Sequence, residues 1–492
     1  MIEPLRHILP TELDQSFACH VAARYQKWWR GSFCNFRKGC KCAPKRRILF
    51  PMPAGPSLIF DKSALESLNL DEAVLLDNFY MSNITPLFYV ECLADLEKSM
   101  RSRSTPEQLV GSLADRTPDM QSTPNVHHMT ILAAELSRQF DLRNALGRIH
   151  RAGGEPVQLG DKKGMVFRRS PEAEAFERWT QREFLEIERN VAKEWRRMLA
   201  RVDFNVMVKS VMAELGHWRK PRTLDDAKML ADAIVDCMDP EWLIGFGLAL
   251  LGVPEATEYV RNDWITRRRP PLRQHVPYFI FMLTINIFFC LVLPTQLLRN
   301  VKPSHQVDLA YLYYLPFCDV FTSKDNFHAQ VAPLFLNTRP LPDGVAAPRQ
   351  TFVNATELKD DLRKLDEYYS IQPEHIRAQG LFNFGSWPPE DGDFLTTRLW
   401  DTYLPRWREI KHSKDKPNLN DPDYQKRTLD ELKQLTDSPD LQSHNEHDID
   451  KLNYVTIHRM VSARKGKWRR FSDDQEARML EDKRKRPDSQ PS

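Results

Sequence analysis

The stretch "DLAYLYYLPFCDVFTSKD", Asp308–Asp325, decides the fold. It carries three aspartates around a tyrosine-rich segment and a short apolar run. "DLAYLYYLP" reads as a short helix stopped by Pro316, whose ring cannot continue it. "DVFTS" reads as a strand. A nine-residue helix rises about 13 Å and a five-residue strand about 16 Å. The two lengths nearly cancel, so Asp308 returns to the edge where Asp325 lies. Asp319 starts the strand and is left about 16 Å away, at the opposite edge. It is therefore expected to be a turn or capping residue, outside any ligand set.

Working outward, "SLIFD" (Ser57–Asp61) is a short buried strand and "NITPLF" (Asn83–Phe88) a second. "YVECLADLEKSM" has helical spacing, which puts Glu91 in a first turn. "QTFVNA" is one more strand, followed by the helix "TELKDDLRKLDEYYS". "NFHAQVAPLFL" is helical as far as Pro333. Strands alternating with helices predict a parallel sheet covered by helices. Ligands of such sheets gather beyond the carboxyl ends of the strands. Asp61, Glu91, Asp308 and Asp325 all fall at that edge. Four carboxylates there repel one another unless a cation holds them. Hard oxygen ligands suit Mg²⁺ or Mn²⁺, ions that activate water and neutralise charge on a phosphate.

"IFDKSAL", "PLFYVECLADL" and the late pair with "FTSKD" resemble the acidic motifs of PIN-domain (PilT N-terminus-like) nucleases. The resemblance covers about residues 57–100 and 276–375. It implies an α/β fold with a PIN-like three-layer α/β/α core. It also implies that Asp61, Glu91, Asp308 and Asp325 are metal ligands and catalytic residues. The activity implied is metal-dependent cleavage of phosphodiesters, usually in RNA. Ser63 occupies the family position where a small polar residue helps order the metal site. The departure from small PIN domains is a large helical insertion between Glu91 and Asp308.

The organisation read from the chain is an N-terminal arm (1–56), a first part of the core (57–100), a helical insertion (101–273), a second part of the core (274–375) and a helical C-terminal extension (376–492). Within the insertion, "SPEAEAFERWTQREFLEIERNVAKEWRRMLARV" is one long helix with Ser170 as N-cap and Pro171 at its first position. "HRAGGEPVQLGDKKG" is a loop, and "TLDDAKMLADAIVDCM" and "PEWLIGFGLALLG" are helices.

The 492 residues carry 70 Lys and Arg against 67 Asp and Glu, a net charge of +3, so any nucleic-acid surface must be local. The best candidate is Lys27–Arg47, where Trp28, Trp29, Arg30, Arg37, Lys38, Arg46 and Arg47 interleave ring faces with cations. Such a surface suits single-stranded RNA. Cys34, Cys40 and Cys42, with Cys19 or His20, are candidate ligands for Zn²⁺, although their spacing is not that of a common finger. Eight cysteines are too few and too uneven for a disulfide scaffold, and no secretory signal is visible, so the reading is a reducing, cytoplasmic protein. Cys92, Cys237, Cys290 and Cys318 are expected to be inert core residues. Val276–Leu298 is long enough to span a bilayer, but its prolines, Asn286 and lack of a companion span favour a buried helix. His127 and His128 are expected to serve a loop or cap, whereas His305 lies near the acidic edge. Thr322 and Ser323 are candidates to hold a phosphate or water. No phosphate-cradling glycine loop or triad nucleophile is present, which disfavours motor and triad-hydrolase classes. The lead expectation is a nuclease. The alternative is a non-catalytic scaffold on the same core.

Overall fold

The computed structural model describes residues 55–99, 105–117, 125–147, 149–150, 154–159, 162–167, 171–185, 188, 219–295, 297–298, 305–336, 350–371, 387–412, 442–443 and 454–456. Residues 1–54 of the arm, with its nucleic-acid and Zn²⁺ candidates, lie outside them, as does Ser170. The chain divides into two compact units, one of Met1–Leu49 with Val202–Pro303, the other of Phe50–Arg201 with Ser304–Ser492.

The second unit holds the sheet. In chain order its elements begin with β1 (Ser57–Phe60), α1 (Lys62–Ser67), α2 (Leu70–Phe79), β2 (Met81–Asn83), α3 (Pro86–Ser99), α4 (Pro106–Arg116), α5 (His128–Leu136), β3 (Gly154–Leu159), β4 (Lys162–Phe167) and α6 (Pro171–Thr180). The first unit contributes α7 (Leu224–Cys237), α8 (Pro240–Leu250), α9 (Thr257–Thr266) and α10 (Pro277–Val292). The second unit resumes with α11 (His305–Leu312), β5 (Val320–Ser323), α12 (Asn326–Phe335), β6 (Thr351–Asn354), α13 (Ala355–Ser370) and α14 (Leu395–Tyr403).

Four strands form an all-parallel sheet in the order β2-β1-β5-β6. The register sets Leu58 beside Val320 and Phe60 beside Thr322, then Ser323 beside Asn354. Alternation sends Leu58, Phe60, Val320 and Val353 into one apolar cluster with residues of α1, α2 and α13. The other face carries Phe321, whose ring meets His328 of α12 at 5.2 Å. This is a three-layer α/β/α arrangement around a small parallel sheet.

Several elements differ from the sequence reading. The second strand is Met81–Asn83, and "PLF" is already helical. Proline has no amide hydrogen to offer a ladder and has the φ of a first helical residue, so Pro86 opens α3. Glu91 accordingly lies in the second turn rather than the first. α11 starts at His305, before Asp308, and Pro316 falls in a separate 3₁₀ turn, Leu315–Phe317. α12 continues through Pro333 to Phe335. The long helix expected from Pro171 ends at Thr180, where Arg182 takes a left-handed φ of 65°. Just beyond, buried Glu188 accepts Arg178 Nη2 at 2.6 Å and Trp179 Nε1 at 3.2 Å, which folds the chain back. Within the loop expected at 150–164, Gly154–Leu159 is instead a strand that pairs antiparallel with Lys162–Phe167.

In the first unit, α10 packs against α7 and α8. Gly247 of α8 permits this: a Cβ there would lie 2.6 Å from Phe279 Cζ. Pro277–Thr295 spans 19 residues at a mean hydropathy of 2.0, enough to cross a membrane by length and composition, and 78% of it is buried inside the fold. Cys92, Cys290 and Cys318 are buried as expected, and Cys237, the last residue of α7, is exposed.

Candidate functional site

Parallel strands β1 and β5 lie side by side at the point where the strand order turns, with β2 outside one and β6 outside the other. Crevices of open α/β sheets form beyond such a switch point, at the carboxyl ends. Asp61 follows β1 directly and Asp325 follows β5 by two residues. The topology itself thus brings these two acids to one edge.

Asp61 is buried, at 3% exposure, and is the N-cap of α1. Its Oδ1 accepts the Ala64 amide at 2.9 Å, and Ser63 Oγ lies 2.9 Å from both carboxylate oxygens. Its Oδ2 lies 2.5 Å from Ser323 Oγ and 3.2 Å from His328 Nδ1. Burial alone would raise the Asp61 pKa. The hydrogen bond and charge of His328, with Ser323 and Ala64, hold it below its ordinary value. For His328, burial opposes protonation, but Asp61 and then Asp308 carry the ring up to about 9.

Glu91 reaches the same edge from α3. Tyr311 donates its hydroxyl to Glu91 Oε2 at 2.8 Å, and the Lys62 amide approaches the same oxygen at 3.4 Å. Burial, then the charge of Asp61, raises Glu91 to about 8. Lys62 opposes the rise and Asp308 adds to it. The charges of Asp61 and of Asp308 thus both act on Glu91. Asp325 stands at the same edge but serves α12, its Oδ1 accepting the Phe327 amide at 2.6 Å.

Asp319 is at the other end of the sheet, as expected. Its Oδ2 accepts the Ser57 amide at 3.0 Å and lies 2.7 Å from Ser57 Oγ. Ser63 orders Asp61, and its Oγ accepts the Lys324 amide at 3.0 Å. Thr322 and Ser323 are both fully buried, so neither is open to a phosphate. Ser323 is occupied with Asp61 and His328, while Thr322 Oγ1 has no hydrogen-bond partner among the described residues. His127 caps α5 through Met129 N and stacks against His128 at 4.2 Å, while the His128 amide donates to the Tyr314 hydroxyl at 2.9 Å. His305 packs against Phe327 at 5.4 Å.

Sequence reasoning missed Tyr311 and His328. Both had a signal: each lies three residues after an acid of the edge, Asp308 and Asp325, within one helical turn.

The donors present are hard carboxylate oxygens, the chemistry of a Mg²⁺ or Mn²⁺ site. The crowding that protonates Glu91 is what a cation relieves. Their disposition is less favourable. Among the described residues, no group of three or more His, Cys, Asp or Glu side chains is placed to hold a metal ion. Asp61 also receives donors from Ala64, Ser63, Ser323 and His328, about as many as a carboxylate has lone pairs to offer.

The fold and site together define a class: a small parallel α/β/α sheet with an acidic carboxyl edge. No protein-family model matches the chain, and no curated protein and no solved structure is found similar to it.

Proposed function

We propose that the chain is a divalent-cation-dependent nuclease with a PIN-like core, hydrolysing phosphodiester bonds in RNA. The observation that carries this reading is that Asp61, just beyond β1, caps α1 while Glu91 Oε2 from α3 approaches the amide of the next residue, Lys62, at 3.4 Å. The order of the acids along the chain supports it. Asp61, Glu91 and Asp308 would hold Mg²⁺ or Mn²⁺, with Asp325 as the fourth acid of the edge. When bound, such an ion supplies an activated water and neutralises charge developing on the phosphate. Tyr311 orients Glu91, whose carboxyl holds a proton at neutral pH in the ion-free chain. Ser63 and Ser323 fix the plane of the Asp61 carboxylate. In this reading the basic and aromatic arm guides single-stranded RNA. A cytoplasmic location agrees with the four free cysteines among the described residues.

The saturation of Asp61 by protein donors favours a second reading, a non-catalytic scaffold that keeps the core and binds a partner. Calorimetric titration with Mn²⁺ separates the two. The nuclease reading expects binding that is lost in Asp61→Asn and Asp308→Asn, together with cutting of single-stranded RNA that fails in both. Absence of Mn²⁺ binding and of cutting by the unaltered chain leaves the scaffold.

A further inference from the structure

His328 is fully buried, and both its ring nitrogens are engaged. Nε2 lies 2.8 Å from the main-chain carbonyl of Asp308. A carbonyl only accepts, so Nε2 carries a hydrogen. Nδ1 faces Asp61 Oδ2 at 3.2 Å and Ser323 Oγ at 2.9 Å. The ring therefore spans from the acid after β1 to the first turn of α11, two places 247 residues apart in sequence (61 and 308). Three aromatic rings enclose it. Phe321 meets it edge-on at 5.2 Å, Phe327 at 5.6 Å and Tyr311 at 5.7 Å. Tyr311 in turn holds Glu91. One side chain thus meets the Asp61 carboxylate, the main chain of Asp308 and the ring of Tyr311, which holds Glu91.

We propose that His328 is a positioning residue, a strut that sets the Asp61 carboxylate against the Asp308 turn and so fixes the spacing of the acidic edge. Its value for cation binding rests on the reading given under Proposed function, but the strut itself does not. Side chains that orient ligands from behind change metal affinity by about 10–100-fold when removed.

Three variants separate positioning from mere packing. His328→Leu removes both bonds. His328→Asn carries a donor near the place of Nδ1, and His328→Gln one near the place of Nε2. Val331→Ala, a fully buried change on the same helix, serves as a control for lost packing. Mn²⁺ affinity by calorimetry is expected to fall at least about 10-fold in His328→Leu. His328→Asn should restore most of it, and Val331→Ala should leave it unchanged although its melting temperature drops. Affinity that follows melting temperature across all four variants overturns the proposal.

Nuclear magnetic resonance of ¹⁵N-histidine-labelled protein without any ion tests the strut separately from the cation reading. The Nε2–H signal should be protected from solvent exchange, and Asp61→Asn should displace the Nδ1 signal alone. An unprotected Nε2–H signal, or an Nδ1 signal indifferent to Asp61→Asn, overturns the strut even if Mn²⁺ binds. Protected and responsive signals support it even if Mn²⁺ does not bind, in which case the cation reading alone fails.

Discussion

At the amino end of the sheet Asp319 meets Ser57, and at the carboxyl end Asp61 meets Ser323, yet the two serine–aspartate pairs have different surroundings. Asp319 takes the Ser57 amide and hydroxyl, and its own amide donates to Ser57 Oγ at 2.9 Å. The exchange is reciprocal and ties the start of β5 to the start of β1. Asp61 has more donors, from Ser63, Ala64, Ser323 and a buried imidazole, and its charge acts on Glu91. A buried acid with its hydrogen bonds made is ordinary architecture. Like charges gathered around it are costly, and proteins keep such arrangements where chemistry needs them. Burial alone therefore does not mark a site; the company an acid keeps does.

The sharpest way to break this contrast is to neutralise each end. Asp61→Asn or Asp308→Asn is expected to lower RNA cutting by at least about 100-fold, the scale for losing a group that stabilises developing charge. Asp319→Asn should leave cutting intact, as measured by release of labelled fragments. Equal losses at both ends would dissolve the distinction.

Stability reverses the ranking. Asp319→Ala strands the Ser57 amide, while the Ser57 hydroxyl keeps the Gly147 carbonyl at 3.0 Å, and should cost about 1–3 kcal/mol, read by chemical denaturation, without changing Mn²⁺ affinity.

Glu91 adds a dependence on pH. Its pKa lies at about 8 in the folded chain against an ordinary 4.5. Between those values the folded chain holds a proton that the unfolded chain has released. Stability from this group therefore falls as pH rises from about 4.5 to about 8, then levels. His328 adds to the fall over the upper part of the range, since its raised pKa supplies stability that is lost as pH climbs from 6.5 through about 9. Glu91→Gln removes the first contribution. It should gain about 4 kcal/mol over the unaltered chain between about pH 5 and pH 9, in denaturation curves at each pH. A gain that is flat with pH would show that Glu91 is not crowded.

The smallest effect on stability belongs to Asp325→Asn. Asparagine caps a helix as well as aspartate does, so the change should stay within about 0.5 kcal/mol. Cutting measured on the same variant then decides whether Asp325 serves only α12 or also the edge.

Much of this contrast was legible beforehand. The strand rise was enough to set Asp319 at the edge opposite Asp325, because that repeat is fixed by backbone geometry, but the helix matched against it begins at His305 rather than Asp308. The parallel sheet followed from strands separated by helical runs. Element ends were less legible where a proline was read as a breaker. Pro86 starts a helix and Pro333 lies inside one. The pairing of β3 with β4 was hidden because the composition of 150–164, rich in glycine and lysine, is that of a loop. His328 and Tyr311 escaped because a lone histidine or tyrosine at helical spacing looks like core. What distinguishes them is a partner supplied by another segment, which no local window contains. The filling of Asp61 by donors was equally invisible, since it needs Ser323 and His328 brought from far along the chain.

The first and third sheet segments face each other across 262 residues of sequence, from Ser57 to Asp319. At about 5–20 residues per second, a ribosome needs on the order of 13–50 s to synthesise the intervening polypeptide. Throughout that interval β1 has one hydrogen-bonding flank without its native neighbour, an opening that invites mispairing. The newborn protein would have to shield that flank, and its acidic edge is completed only after most of the translation is over.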